Sequence, residues 1–307
     1  MILITGATGT IGRELVKLLA RPEEPIRALV HDREKAASIA LPGVEIYEGD
    51  LAGGAGFDAL FQGVHKIFLL TPSIENQAEV ERNFIRAADR PEIKHLVKLS
   101  ALGAAPDSPV RFLRAHGEGE RFLKNTDLPY TILRPNSFMQ NFVNFRDSII
   151  HEAKFYLPMG DGRISFVDVR DIALVAAETL EEHGHAGKEY DVTGGEALSY
   201  ADTAEKLSFV LGKPVAYVDV PPEAARRGML EAGIPEWTAD GLLELYASWR
   251  FNTASEIADT VPRIAKKDPI AFLEFARDYA PQFGRHGRER LSEIMDEVNL
   301  DNMTPGA

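Results

Sequence analysis

Met1-Ile2-Leu3-Ile4-Thr5-Gly6-Ala7-Thr8-Gly9-Thr10-Ile11-Gly12 decides how this chain is read. A short apolar run stops at a glycine, and two more glycines follow at intervals of three. Beyond them Ile11, Leu15, Leu18 and Leu19 recur on one face of a helix. A second apolar run, Ile26–Val30, follows a break that contains Pro22 and Pro25. Strand, helix and strand within about 30 residues is the spacing of a βαβ unit. Glycines set between the strand and the helix are the arrangement that binds a dinucleotide. Gly6 permits the tight exit from the strand, Gly9 lets a pyrophosphate approach the backbone, and Gly12 lets the helix pack closely. Thr8, Thr10 and Ile11 complete the loop, and the helix N-terminus offers free N–H groups to the phosphates.

Working outward, strands and helices keep alternating. Strands are expected over 44–47, 66–70, 95–100 and 130–133, and helices over 57–61, 75–88, 110–125 and 137–151. The runs Lys66-Ile67-Phe68-Leu69-Leu70 and Tyr130-Thr131-Ile132-Leu133 are almost continuously apolar, as buried parallel strands are. After about residue 155 the rhythm changes. A strand over 164–167 leads to a helix over 169–182, with Asp168 and Asp171 at its positive end. A strand (190–193), a helix (199–211), a strand (215–220) and a largely helical stretch to about 280 follow. The fold class expected is α/β: a Rossmann-type, doubly wound parallel sheet with a smaller, mostly helical C-terminal lobe. The division expected is 1–155 for the nucleotide domain, with 164–195 returning to it, 196–284 for the substrate lobe, and 285–307 as a polar tail.

Composition narrows the chemistry. The chain has 307 residues, 45% of them hydrophobic, enough to build a core without covalent staples. It has no cysteine, which removes disulfides, thiolate metal sites and a cysteine nucleophile. A net charge of −13 disfavours direct contact with nucleic acid. The N-terminus lacks the charged and apolar regions of a signal peptide, and no apolar run reaches the ~20 residues that span a bilayer. A cytoplasmic protein is expected, monomeric or homodimeric, acting on a small molecule with no membrane contact. His151, His183 and His185 lack the carboxylate spacing of a metal site, so no metal is expected.

The segment Val30-His31-Asp32-Arg33-Glu34-Lys35 bears on the cofactor. A carboxylate after the second strand selects NAD through the ribose 2′-OH, and basic residues accommodate the 2′-phosphate of NADP. His31, Arg33 and Lys35 favour the phosphate; Asp32, 20 positions after Gly12, favours the free hydroxyl. NADP(H) is placed ahead of NAD(H). Asp50 and Leu51, after the third strand, are placed to meet the adenine.

The opening ILITGATGTIGRELV, the Gly49-Asp50 pair, His95–Ala104 (HLVKLSALGA), Leu128–Phe142 (LPYTILRPNSFMQNF) and Gly162–Ala177 together resemble the NmrA-like family of atypical short-chain dehydrogenase/reductases. The chain looks most like that family's NAD(P)H:quinone oxidoreductase and triarylmethane reductase type, from residue 1 to about 280. The resemblance implies a substrate cleft between a Rossmann domain and a small lobe. It implies that Gly6, Thr8, Gly9, Thr10, Ile11 and Gly12 hold the pyrophosphate. Relatives often carry an arginine where His31 stands, so Arg33 is the substitute for 2′-phosphate binding. Leu70, Thr71 and Pro72 would lie along the ribose and nicotinamide, Ser100 and Ala101 beside the nicotinamide, and Pro135, Asn136 and Phe138 would complete its pocket.

None of the eight tyrosines has a lysine four residues later, so the Tyr-x-x-x-Lys proton machinery of short-chain dehydrogenases is absent. His116-Gly117-Glu118-Gly119-Glu120 stands where that pair would sit. The preferred reading is a hydride-transfer enzyme whose flat, aromatic acceptor, a quinone or a dye, needs little acid catalysis. His116 is its candidate catalytic residue, as a weak acid near neutral pH. Lys98 is read as structural. Met139 and Phe142 are candidates for an apolar substrate wall, and Trp237, Tyr246 and Trp249 for lid residues. The alternative is a non-catalytic NADP-sensing regulator that acts through a protein partner.

Overall fold

Seven strands lie side by side and all parallel, in the order β3-β2-β1-β4-β5-β6-β9. They are β1 (Ile2–Ile4), β2 (Ile26–Val30), β3 (Val44–Glu48), β4 (Lys66–Leu69), β5 (His95–Leu99), β6 (Tyr130–Pro135) and, later in the chain, β9 (Lys188–Val192). The structure is a computed structural model that describes residues 1–53 and 56–284; the expected tail, 285–307, lies outside them. The helices between the strands are α1 (Thr10–Leu19), α2 (Phe57–Leu60), α3 (Gln77–Ala88) and α4 (Arg111–Lys124). After β6 come α5 (Arg146–Glu152), β7 (Lys154–Leu157), β8 (Arg163–Ile164) and α6 (Val169–Glu181). After β9 come β10 (Leu198–Ser199), α7 (Tyr200–Leu211), β11 (Ala216–Asp219), α8 (Pro222–Glu231), α9 (Glu236–Trp249), α10 (Thr260–Ala265) and α11 (Phe272–Tyr279).

Helices cover both faces of the sheet. On one face α1 packs against α6, burying Leu15, Val16, Ile172 and Val175 over Ile4 and Val97. On the other, Phe84 of α3 and Leu123 of α4 close over Leu3, Ile67 and Leu96. Burial on both faces explains the nearly all-apolar strands. The strand order reverses at β1, where β2 leaves on one side and β4 on the other. The crevice beyond the carboxyl ends at such a point is where open α/β sheets bind ligands.

A second core holds the smaller lobe. Phe142, Phe155, Phe166, Tyr200 and Phe272 form a cluster of aromatic contacts at its centre. It draws residues from both sides of the expected boundary at 155, because β7 pairs with β11 and β8 with β10. The helix expected over 137–151 is split into a 3₁₀ turn over Met139–Phe145 and then α5. Backbone bonds joining Met139 and Ser137 to Val167 hold the start of this segment extended, delaying the helix. The strand expected over 164–167 is regular only at β8, and beyond it Val167 makes a single bridge to Phe138. Among the described residues no helix is long and apolar enough to cross a membrane.

Candidate active site

The loop between β1 and α1 is shaped by close approach. Gly6 has φ +62°, and a Cβ on Gly12 would lie 2.1 Å from the Gly6 carbonyl oxygen. The loop is anchored to β4 through Thr5, whose Oγ1 donates to the Leu70 carbonyl and accepts from the Leu70 amide, both at 2.8 Å. The start of α1 has no side-chain cap and no acid in its first turn, and Gly9 and Thr10 are exposed. An uncapped, acid-free N-terminus behind a loop without side-chain bulk fits a dinucleotide pyrophosphate.

Beyond β2, the Asp32 carboxylate is already engaged. It accepts from the Glu34 amide at 2.9 Å as the cap of a 3₁₀ turn over Arg33–Ile39, and lies 3.7 Å from Lys35 Nζ. His31 and Arg33 are exposed beside it. One oxygen of Asp50 accepts from the Ala52 amide at 2.8 Å, and Leu51 packs against the α3–α4 side of the core.

A cavity of about 350 Å³ opens at the carboxyl ends of β4, β5 and β6. Leu70 and Thr71 line it from β4, Ser100 and Ala101 from β5, and Pro135, Asn136 and Phe138 from β6, with His116 from α4. Pro72 is exposed beside it and is not part of the wall. The opposite wall is a stripe of α9 (Thr238, Leu242, Leu245 and Trp249) whose spacing of four, three and four keeps one helix face to the cavity. That stripe is legible in the sequence, but it reads equally well as core packing.

Two sets of residues need correction. Met139 and Phe142 do not line the cavity; both are buried in the second core, where the Phe142 ring meets Phe272 at 4.9 Å and Phe166 at 5.3 Å. A 3₁₀ turn repeats every three residues, so 138 and 141 share one side and 139 and 142 the other. Phe138 and Asn141 are the residues on the wall. Of the three aromatic lid residues only Trp249 lines the cavity. Trp237 stands edge-on to Phe112 at 5.2 Å, and Tyr246 is buried.

Behind the wall lies a polar cluster that sequence reasoning missed. Lys98 and Glu81 form a fully buried ion pair at 2.9 Å. Glu81 Oε1 also accepts from Thr71 Oγ1 at 2.7 Å and from Gln77 Nε2 at 3.1 Å. The second Glu81 oxygen has no partner. Glycine at 119 lets α4 close over this pair, since a Cβ there would lie 1.8 Å from Glu81 Oε2 and push the carboxylate aside. Burial alone would raise the Glu81 carboxyl; Lys98 and the hydrogen bonds from Thr71 and Lys98 oppose it and hold it below the usual range. In parallel, Ser100 Oγ donates to Glu120 at 2.6 Å, and Arg134 holds the same carboxylate from the other side. Neither of these α3 residues was identifiable from the sequence, because nothing local marks Gln77 and Glu81 as facing inward toward a lysine on β5.

His116 is half-buried between this cluster and the cavity. Burial, and then Lys98, push its pKa down to about 4, against the pull of Glu81 and Glu120. The expectation of a weak acid near neutral pH is therefore corrected: at pH 7 the imidazole is uncharged. Among the described residues, no three His, Asp or Glu side chains are gathered as a metal ion would require.

With this geometry, three comparisons carry weight. The chain is 39% identical over 284 residues to the NAD(P)H azoreductase of Xenophilus azovorans, covering 92% of this chain and 99% of that protein. It is 30% identical over 247 residues to quinone oxidoreductase 2 of Escherichia coli strain K12, covering 80% and 86%. The solved structure of Citrobacter sp. triphenylmethane reductase with NADP(H) superimposes with a TM-score of 0.81 at 26% identity, covering 91% of this chain and 99% of that one. The family model described as NmrA-like matches residues 1–270, and this chain belongs to the NmrA-like family.

Proposed function

We propose that this protein is an NAD(P)H-dependent reductase that delivers hydride to a flat, conjugated small molecule of the quinone or dye type. The observation that carries this reading is the cavity at the ends of β4, β5 and β6. It meets the glycine loop at Leu70 on one side and is closed by Trp249 and two leucines of α9 on the other. Such a slot suits an aromatic plane laid against a nicotinamide. NADP(H) is the preferred cofactor and NAD(H) the alternative, because Asp32 is tied to its own turn while His31 and Arg33 are open.

Bound NAD(P)H supplies the hydride. The protein's own residues do the rest. The glycine loop and the uncapped end of α1 hold the phosphates, and Leu70 fixes the cavity floor against Gly6. Thr71 and Ser100 turn their hydroxyl hydrogens away to Glu81 and Glu120, so the wall beside the nicotinamide is short of donors. No cationic acid stands in the cavity at neutral pH, since His116 is uncharged. A quinone that gains hydride therefore takes its proton from water, and such acceptors need little acid catalysis.

We also read the protein as cytoplasmic, monomeric or homodimeric, and without direct nucleic-acid contact; the charge of −13 supports the last point. The test is a calorimetric titration with NADPH and NADH, followed by a simple quinone, an azo dye and a triarylmethane dye. Absorbance of the reduced nicotinamide is the readout. Tight NADPH binding with turnover is expected. Tight binding with no oxidation by any acceptor would overturn the reading and favour a nucleotide sensor.

A further inference from the structure

The Glu81–Lys98 pair has no part in the chemistry described so far, yet it lies directly behind the one imidazole of the cavity. Lys98 Nζ is 3.5 Å from His116 Nδ1, and Gln77 Nε2 is 3.2 Å from the same atom. The Gln77 amide is oriented by Glu81, since its NH₂ faces the carboxylate at 3.1 Å and an oxygen there would be repelled. An ammonium and an amide NH₂ are both donors only. Lys98 faces Nδ1 and can only donate, so Nδ1 is the acceptor and the ring proton belongs on Nε2. Gln77 Nε2 also lies 3.3 Å from that second nitrogen, so the amide sits over the ring and packs it in place while donating to Glu81.

We infer that Glu81, Lys98 and Gln77 are positioning residues that hold His116 as a neutral imidazole protonated on Nε2, making it a hydrogen-bond donor to the bound acceptor rather than a source of protons. The inference rests on the reductase reading and deepens it. A carbonyl oxygen of a quinone or a nitrogen of an azo group gains negative charge as hydride arrives. A neutral N–H donor stabilises that charge in the transition state without adding a cation to the pocket. The groups that face His116 are Lys98 from β5, Glu81 and Gln77 from α3, and Glu120 from its own helix. The face that α9 presents to the cavity carries Thr238, Leu242, Leu245 and Trp249, none of which titrates. Lys98 is thus the cation that keeps a second proton off the ring, and Glu81 is what allows an ammonium to be buried there at all.

The test uses the full chain saturated with NADPH, with ¹⁵N-labelled histidine read by NMR across pH, and kcat for a quinone over the same range. In the wild type, the His116 signals should report the Nε2–H tautomer and stay neutral to about pH 5, with no histidine limb in kcat. Lys98→Met should move His116 titration upward by about one unit or more and add a limb to kcat near pH 6, about threefold or larger. That limb should vanish in Lys98→Met/His116→Gln. If Lys98→Met folds poorly, Glu81→Gln/Lys98→Met removes both charges at similar volume and should show a smaller upward shift, because the pull of Glu81 on the ring proton is lost with the push of Lys98. A wild-type His116 that titrates near 6.5, or carries its proton on Nδ1, overturns the inference. So does a limb that survives loss of His116. If no acceptor is turned over, the NMR titration still decides the state of the ring, so failure of the reductase reading is seen separately.

Discussion

The glycine loop after β1 and the wall built by the ends of β4 and β5 lie side by side at one edge of the sheet, and they treat polar groups in opposite ways. At the loop, the start of α1 is left without a side-chain cap, and Gly9 and Thr10 are exposed. At the wall, hydroxyls that could face a ligand are turned inward, Thr71 to Glu81 and Ser100 to Glu120, and the carboxylates are in turn held by Lys98 and Arg134. The first region is built to receive charge. The second keeps its charge behind the surface and shows the cavity a neutral face. A phosphate-bearing cofactor and a flat apolar acceptor can then sit next to each other without competing for the same groups.

The contrast can be broken most forcefully at the wall. Lys98→Met leaves Glu81 ionised and unpaired in the core and should cost about 3–5 kcal/mol in urea unfolding, whereas Glu81→Gln/Lys98→Met should cost far less. Equal losses would mean that the pair is not what balances the charge. Acid provides the next test. His95 and His116 both have pKa values near 4 in the folded chain, lowered first by burial. Below about pH 6.5 the unfolded chain binds protons that the native state refuses, so stability is full above that pH and falls as the pH drops toward 4, by up to about 3 kcal/mol per ring. Replacing His116 by Gln should flatten part of that slope in unfolding measured at several pH values.

At the loop, Gly12→Val drives a side chain into the Gly6 carbonyl and should lower NADPH affinity by about 100-fold, about 2.7 kcal/mol by calorimetry. Unchanged binding would show that the loop does not hold the pyrophosphate. Trp249→Ala opens the α9 side of the cavity; KM for an aromatic acceptor should rise about tenfold while NADPH affinity stays put. The smallest effect belongs to the exposed end of β2. Arg33→Gln should reduce the preference for NADPH over NADH about fivefold, the scale of one exposed charge contact. Asp32→Ala should leave NADH affinity nearly unchanged, because one of its oxygens is held by the Glu34 amide and the other faces Lys35.

The parts of this protein that were legible in sequence share a property: their signals are local. Three glycines between a strand and a helix, a run such as Lys66 to Leu70, and helix stripes in α1 and α6 each repeat over a few residues, and the parallel sheet follows from their alternation. The placement of Leu70, Ser100 and Asn136 beside one cavity also follows, because each stands at the carboxyl end of a strand. Met139 and Phe142 were misplaced because a 3₁₀ turn and a regular helix present different residues to the same side. The short strand β7 went unseen because its partner, β11, lies some sixty residues further along.

The sequence by itself determined the glycine loop between β1 and α1, the sheet and the absence of thiol chemistry, since these depend on residue type and short spacing. Only the tertiary structure decided the character of the cavity. Whether His116 is an acid or a neutral donor depends on Lys98, Glu81 and Gln77, which arrive from a different strand and a different helix. A histidine's charge depends on the dielectric and the neighbours around it in space, and neither can be read from the residues beside it in the chain.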